Sequence, residues 1–592
     1  MAKEETKKDK QSKKKEKEEK KKESFKEIKI AFRSLEDRKK FIRTIFLPLM
    51  IMGVLVMCMP FLLQILVSTP LQYNPITFIL GGIIPILLGV FYPYISWKNR
   101  ESDINGKMHF FITHIRVLAI SDLTLKDIIN VLGGNKAYKS LGEEFRKISV
   151  LTDQWRVPVS KSFRFVSERT PSKILKDFLD RFSQSLDSGV EHREFIEHEQ
   201  DAVLQEYKTI YEASNENVVI LSEVYVSLLV AIIFVMSLGI VLPMIMGSKD
   251  MSSFIYIASF MLLAAEGMLL YLLRAMIPPD EMWHCTGEKG EMELALMRSL
   301  KISLVFCILL CVILLVIKYM VRPPFFERIP FEILIACGLT PLILPGWKTL
   351  REEEHMSRKE RNFMGFLPAL GSISTMRGGR INDSVLYLSE KDYGVLSRHI
   401  RDLYRRLRTR IDDDAAWEWF GVDTGSNYIQ RSSEMFRQAT SAAANPRTVS
   451  RMITENIRKI RDLRVKKLAI VKTTSALFAG ITFGISFCIY VSFVVAQHLN
   501  TILISSNAGH PFEGTTIDVG SILTTVPPEV FTQNFIVIFM VLLAHSFLMA
   551  LTIRSLRGSH LLVTLFYFVP FVWIVSSTAA LVDVGIRGYL GM

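Results

Sequence analysis

The sequence predicts an all-α, polytopic membrane protein carrying two cytoplasmic helical bundles. Three observations predict it. Of the 592 residues, 49% are hydrophobic and 22% are charged, so the two kinds must be segregated along the chain. Apolar runs of membrane length recur about nine times; a hydrocarbon core of ~30 Å needs ~20 helical residues. Two polar blocks of about 120 residues, 98–217 and 348–467, interrupt those runs and show helical rather than alternating periodicity.

The first 40 residues hold 17 of the 72 Lys and Arg, mixed with Glu. Such a tail is too charged to bury a core and is expected to be disordered and cytoplasmic. It is acidic as well as basic and lacks a small-residue cleavage site, so the first apolar run is expected to be retained. The runs are 41–67, 76–97, 219–246, 252–273, 300–320, 329–347, 468–496, 535–553 and 561–586. They group as spans 1–2 (41–97), 3–6 (218–347) and 7–9 (468–592). Run 329–347 is short and carries Pro341 and Pro345. The connections at 274–301 and 554–560, both blocks and the tail are basic, whereas 68–74, 248–251 and the long loop 498–534 hold almost no Lys or Arg. The positive-inside rule therefore places tail and blocks in the cytoplasm, and nine spans place Met592 outside. Lys318, Arg322 and Arg328 depart from that rule.

The net charge of +13 belongs largely with topology and does not argue for a nucleic-acid partner. Of the six cysteines, Cys307 and Cys311 are spaced i,i+4, but no His or carboxylate sits beside them, and no metal site, cofactor or disulfide framework is expected.

In the first block Phe111, Ile115 and Leu118 form one helical stripe. Thr124 and Asp127 fit a cap, and Gly133–Gly134 a stop. Segments 141–151 and 159–169 are amphipathic. Thr170–Pro171 reads as a helix start with Thr170 as N-cap, and the helix runs through Phe178 and Phe182 to Gly189. A polar arm, 194–211, leads into the next span. The second block follows the same order: arm 352–362, helix 363–375, turn Gly378–Gly379, then helices 381–388, 396–411 and 428–438, with 417–420 between the last two and a return arm at 447–464. Shared order points to a tandem duplication with a degenerate second copy.

The step Asp122-Leu123-Thr124-Leu125-Lys126-Asp127, the step Glu168-Arg169-Thr170-Pro171-Ser172 and the helix closing at Ser188–Gly189 resemble the type II secretion system F domain. That domain forms the inner-membrane platform of type II secretion, type IV pilus and archaeal flagellum machines. Two such domains among about nine spans, behind a Lys/Glu-rich tail, look most like the archaellum assembly protein J group. The second copy lacks the Glu-Arg-Thr-Pro step. The resemblance implies a non-catalytic platform that anchors a hexameric secretion ATPase and handles archaellin- or pilin-like subunits. A related type II or type IV pilus platform, a transporter and a receptor scaffold are the competing readings.

No Walker A pattern, Ser/His/Asp set or His-x-x-x-His helix occurs, so energy is expected from a partner. Candidate ATPase-docking residues in the first block are Lys126, Asp127, Arg164, Glu168 and Arg169. In the second they are Arg398, Arg401, Arg405 and Arg406, in a basic stripe of which Arg398, Arg401, Arg405 and Arg408 form one helical face. A charge run is also read as a solvated face, or as a surface for anionic lipid headgroups. Ionisable residues at membrane depth are Glu266, His545 and Asp583. Glu266 and His545 are candidates for intramembrane polar contacts, and their separation along the chain argues against a proton relay. Gly480 and Gly484 have the spacing for close helix packing, within the chain or across a homodimer.

Overall fold

The computed structural model describes residues 75–245, 251–277, 280–284, 290–321, 329–409, 412–508 and 527–590, with a few residues between 46 and 57. The described residues are helical; one isolated antiparallel bridge joins Trp283 to Ser426. In chain order the helices are α1 (Pro75–Ala119), α2 (Leu125–Gly134), α3 (Ser140–Asp153), α4 (Val159–Ser167), α5 (Lys173–Asp187), α6 (His192–Ile245), α7 (Met251–Met276), α8 (Glu291–Val316) and α9 (Phe331–Leu339). They continue as α10 (Ile343–Met376), α11 (Ile381–Ser389), α12 (Ser397–Thr409), α13 (Asp413–Thr424), α14 (Asn427–Ser441), α15 (Pro446–Ala508), α16 (Pro528–Arg557) and α17 (Val563–Leu590).

Seven helices among the described residues are long and apolar enough to cross a membrane, in α6, α7, α8, α9 with α10, α15, α16 and α17. Run 41–67 lies outside the described residues except for a few between 46 and 57. Run 76–97 lies in α1, which is not among the seven, so the expected count of nine is not confirmed among the described residues. The run with two prolines bends rather than fails: α9 ends in a 3₁₀ turn, Thr340–Leu342, with Pro341 in its first positions, and the chain resumes as α10. Parts of the expected external loop are helical, since α15 runs to Ala508 and α16 starts at Pro528.

The arms are continuous with the spans. α6 is a single 54-residue helix that starts polar and ends apolar, and α15 does the same over 63 residues.

Two series of helices follow one order. α2, a 3₁₀ turn, α3, α4 and α5 are matched by α11, a 3₁₀ turn, α12, α13 and α14. α5 and α14 are both 15 residues long, and each is capped by a serine. Ser172 accepts from the Leu175 amide at 3.2 Å, and Ser426 from Ile429 at 3.4 Å. Each serine in turn donates to the helix that leads into its series: Ser172 to Asn105 Oδ1 and Ser426 to Glu360 Oε1, both at 2.6 Å. The N-cap is therefore Ser172 and not Thr170; Pro171 lies before the helix, where its fixed φ still suits the extended approach to the cap. Gly378 and Gly379 take positive φ (68° and 85°) and make the sharp turn before α11.

The chain forms two compact units, Met1–Met108 with Ile129–Phe195, and His109–Ile128 with Ile196–Met592. In the first, Phe163, Phe182 and Phe195 stack in sequence at 4.8 and 4.9 Å, with Phe145 and Phe178 alongside. In the second, an apolar core runs through α6, α7, α15, α16 and α17 and includes Leu229, Leu262, Phe478, Leu542 and Val575. A separate aromatic core, with Phe363, Phe366, Trp417, Phe420 and Phe436, holds the second helical series together.

Candidate functional site

The most heavily built polar site of the second unit gathers where the arms meet the spans. The short connection from α7 to α8 carries Asp280, which lies against Arg464 of α15. Arg464 donates from Nη2 and Nε to both Asp280 oxygens, at 2.6 and 3.0 Å, and from Nη1 to Glu360 of α10 at 3.3 Å. Its guanidinium lies 4.2 Å from the centre of the Tyr428 ring of α14. Lys467, one turn further along α15, brings its Nζ to 4.0 Å from Asp280. All these groups are nearly sealed from solvent, with Asp280 and Arg464 side chains only 10% and 9% exposed. Burial alone would raise the Asp280 carboxyl; the charges of Arg464 and Lys467 outweigh it and hold the group below the usual carboxylate range. A planar, bidentate cation can satisfy two carboxylates and an aromatic face at once, which an ammonium cannot.

The same connection is pinned at four further points. Asn427 donates through its backbone to Met282 O and through Nδ2 to Glu281 O, at 3.1 and 3.0 Å. The His284 amide donates to Gly425 O at 3.0 Å. Trp283 Nε1 donates to Glu353 of α10 at 3.3 Å. Glu353 is fully buried and also accepts from Ser559 Oγ and the His560 amide, at 2.8 and 2.9 Å, in the turn between α16 and α17. One short connection thus ties α14 and α15 to α10 and to the α16–α17 turn. The end of α1 joins the cluster: His109 stacks near Tyr207 of α6 at 4.6 Å, and Phe110 meets Tyr428 edge-on at 5.0 Å. Helices α1, α6, α10, α14 and α15 therefore share one buried polar hub within the second unit.

The sequence reading missed this hub. Asp280, Glu353, Glu360, Arg464 and Lys467 lie in charged stretches where pairs cannot be told from solvated charges. The one available signal was Trp283 beside Met282, an apolar pair in an otherwise polar connection.

The expected docking residues divide. Arg398, Arg401, Arg405 and Arg408 are exposed on one face of α12, opposite the buried Ile400, Leu403 and Leu407. Arg398 and Arg405 flank Asp402, at 3.9 and 3.1 Å, while Arg401 and Arg408 make no ion pair among the described residues. Arg406 does not belong to that face. It pairs with Asp423 at 2.7 Å and lies over Trp419, so it fastens α12 to α13. In the first series Lys126 and Arg164 are exposed. Asp127 is committed to its own helix: it accepts from the Thr124 amide at 3.1 Å and from the Thr124 hydroxyl, completing a cap. Arg169 covers Phe165 at 3.7 Å and lies 3.5 Å from Glu168.

The intramembrane candidates are not isolated, contrary to the sequence reading. Glu266 of α7 and His545 of α16 form a fully buried hydrogen-bonded pair, and Thr482 of α15 lies 3.1 Å from the other ring nitrogen. Residues 279 positions apart are joined by helix packing, which periodicity cannot anticipate. Asp583 is partly exposed and lines a cavity of about 330 Å³ with Glu332 and Tyr490. A Cβ added to Gly480 or Gly484 would meet nothing within 4 Å among the described residues, so neither stands at a close helix approach there. Cys307 and Cys311 are free, and no group of His, Cys, Asp or Glu with metal-binding geometry occurs among the described residues.

An all-helical membrane protein with a helical polar domain leading into a span is the form of a type II secretion F-domain protein. The family model for type II secretion system protein F matches residues 111–240, from the end of α1 through the span in α6. The chain is 32% identical to flagella accessory protein J of Methanocaldococcus jannaschii over 522 residues, 87% of this chain and 90% of the relative. It is 32% identical to flagella accessory protein J of Methanococcus voltae over 518 residues, 87% and 91%. A further M. jannaschii protein, uncharacterized, is 25% identical over 143 residues, 24% of either chain. No solved structure matches. The chain belongs to the flagella accessory protein J family, and its residues 111–240 match the type II secretion system protein F model.

Proposed function

We propose that this protein is the cell-membrane platform of an archaellum-type assembly machine, and that it couples a hexameric secretion ATPase to the assembly of archaellin- or pilin-like subunits. Its tail and the blocks 98–217 and 348–467 face the cytoplasm, and Met592 faces outward. The ATPase docks on the exposed faces that carry Arg398, Arg401 and Arg405 in the second block and Lys126, Arg164 and Arg169 in the first. It contributes the energy, and the platform itself catalyses no reaction.

The observation that carries this reading is the hub at Asp280, Arg464 and Glu360. A push on α12 or α14 reaches α15 through Tyr428 and Arg464, and the neighbouring spans through the pinned α7–α8 connection. Because α6 and α15 run unbroken from polar arm to span, that push moves membrane helices as rigid rods. Rotation transmitted through the same rods is the finer form of the proposal.

The test is co-purification of the ATPase with the full-length protein carrying Arg398→Glu, Arg401→Glu and Arg405→Glu. The reading expects at least tenfold weaker capture at moderate salt, with surface filaments lost. Unchanged capture removes this docking face.

A transporter is the one other reading with an observation in its favour, the paired Glu266 and His545 at membrane depth. Substrate-dependent flux in liposomes would support it.

A further inference from the structure

We infer that a cavity at the end of the spans away from the second helical series binds a primary alkylammonium group, which Glu332 and Asp583 neutralise and the Tyr490 hydroxyl helps to hold.

The cavity, of about 330 Å³, lies between the start of α9, the late part of α15, the start of α16 and the end of α17. Chain order gives its place: α15 leaves the second series at Pro446 and reaches Tyr490 near the end of its apolar stretch. The volume falls at the lower end of the ~300–1,000 Å³ range of small-molecule sites.

The charge of the lining favours a cation. Glu332, in the first turn of α9, is buried, and no ion pair reaches it among the described residues. A buried carboxylate needs a positive partner or a proton. Lys318 lines the same cavity but gives its ammonium to Ile329 O at 2.7 Å. Asp583, partly exposed, brings a second carboxylate, so the lining carries two acids against one base. Asp583 and Lys318 both lie within electrostatic reach of Glu332.

The Tyr490 hydroxyl is an independent sign. It is buried and has no hydrogen-bond partner among the described residues. Tyr490 nevertheless lines the cavity, and Glu332 lies within electrostatic reach of it. A buried hydroxyl is normally bonded, and this oxygen is able to accept from an N–H group. A water molecule would satisfy Tyr490 but bring no charge to Glu332.

The walls select among cations. The rings of Tyr490 and Phe493 both pack on Phe535, with centres 5.9 and 5.5 Å apart, and all three line the cavity. Aromatic faces attract an ammonium and cover an alkyl stem. No group of His, Cys, Asp or Glu with metal-binding geometry occurs among the described residues. A quaternary ammonium would satisfy the rings but has no N–H for the carboxylates or Tyr490. A primary ammonium offers three donors on a flexible stem. A free alkylamine and an aminolipid headgroup both present that group.

The experiment is an NMR titration of propylammonium chloride into the full-length protein in phosphatidylglycerol nanodiscs, which contain no amine headgroup. The expected result is saturable binding that weakens about tenfold or more in Glu332→Gln and about threefold or more in Tyr490→Phe. Tetramethylammonium and potassium are expected to bind about tenfold more weakly than propylammonium. Nanodiscs containing phosphatidylethanolamine separate the two sources. Loss of propylammonium binding there assigns the site to a lipid headgroup, and unchanged binding assigns it to a free amine. No saturable binding in the phosphatidylglycerol nanodiscs, equal binding of potassium, or equal binding by E332Q overturns the inference. If E332Q does not accumulate, Asp583→Asn decides: binding about threefold weaker or more supports the site, and unchanged binding overturns it.

Discussion

Arg464 and Asp280 lie side by side in a bidentate pair, 2.6 and 3.0 Å between nitrogen and oxygen, at a point nearly closed to water. Removing one partner of such a pair leaves a buried charge uncompensated, which costs about 3–5 kcal/mol. Asp280→Ala is predicted to lower the melting temperature sharply in nanodiscs. Asp280→Ala combined with Arg464→Leu is predicted to recover part of that loss, because the double variant no longer strands the Arg464 guanidinium; Lys467 and Glu360 still lose a partner, so the recovery is incomplete. A double-mutant cycle read by thermal unfolding measures the coupling; additive losses would refute it.

Two histidines, His114 buried and His399 half-buried, make the polar helical blocks acid-sensitive. Burial lowers His114 to a pKa of about 4, an effect its contact with Gln438 only partly offsets. Burial, with the charge of Lys359 adding to it, takes His399 to about 4 as well. An unfolded His titrates at about 6.5, so the unfolded chain binds more protons between pH 6.5 and 4. The stability these groups contribute is complete above about 6.5 and is lost as pH falls toward 4. His399→Gln is predicted to flatten the acid limb of a plot of melting temperature against pH between about 6.5 and 4.

The arginines of α12 are predicted to behave as two classes. Arg401→Ala changes stability by less than about 0.5 kcal/mol, since its side chain is exposed and unpaired. Arg406→Ala destabilises by about 1 kcal/mol or more, because it removes the pair with Asp423 and the cover over Trp419. If ATPase binding follows surface charge, it is weakened by the first substitution and spared by the second at temperatures where both proteins are folded. Paired melting and binding measurements separate the classes.

Glycines give a steric counterpart. A Cβ at Gly371 would stand 2.5 Å from Pro446 O and still closer to Ser450 Oγ, where α10 crosses the start of α15. Gly371→Ala is predicted to cost about 1–3 kcal/mol through forced displacement of backbone. Gly480→Ala meets open space and is predicted to leave the melting temperature of the monomer unchanged or slightly raised.

Much of the fold was legible because it is local. Hydropathy over some twenty residues places a span, and Thr124, Gly189 and Gly378–Gly379 mark helix limits through backbone geometry that each residue imposes on itself. Two errors were also local: Thr170 was read as the cap that Ser172 provides, and the end of α15 was read as loop. The site was far less legible. The basic face of α12 followed from helical spacing, but its division did not, because only the position of Asp423 withdraws Arg406 from the surface.

The sequence by itself determined the membrane-spanning, all-helical character, the two helical series and the family, since each depends on composition, spacing or residues near in the chain. Only the tertiary structure decided which charges are buried together. Asp280 meets Arg464 across 184 positions, and Glu266 meets His545 across 279. A charged residue in a polar loop and a lone glutamate in an apolar run carry no mark of their partner, because the energy of each pair depends on the desolvation and approach that packing alone creates.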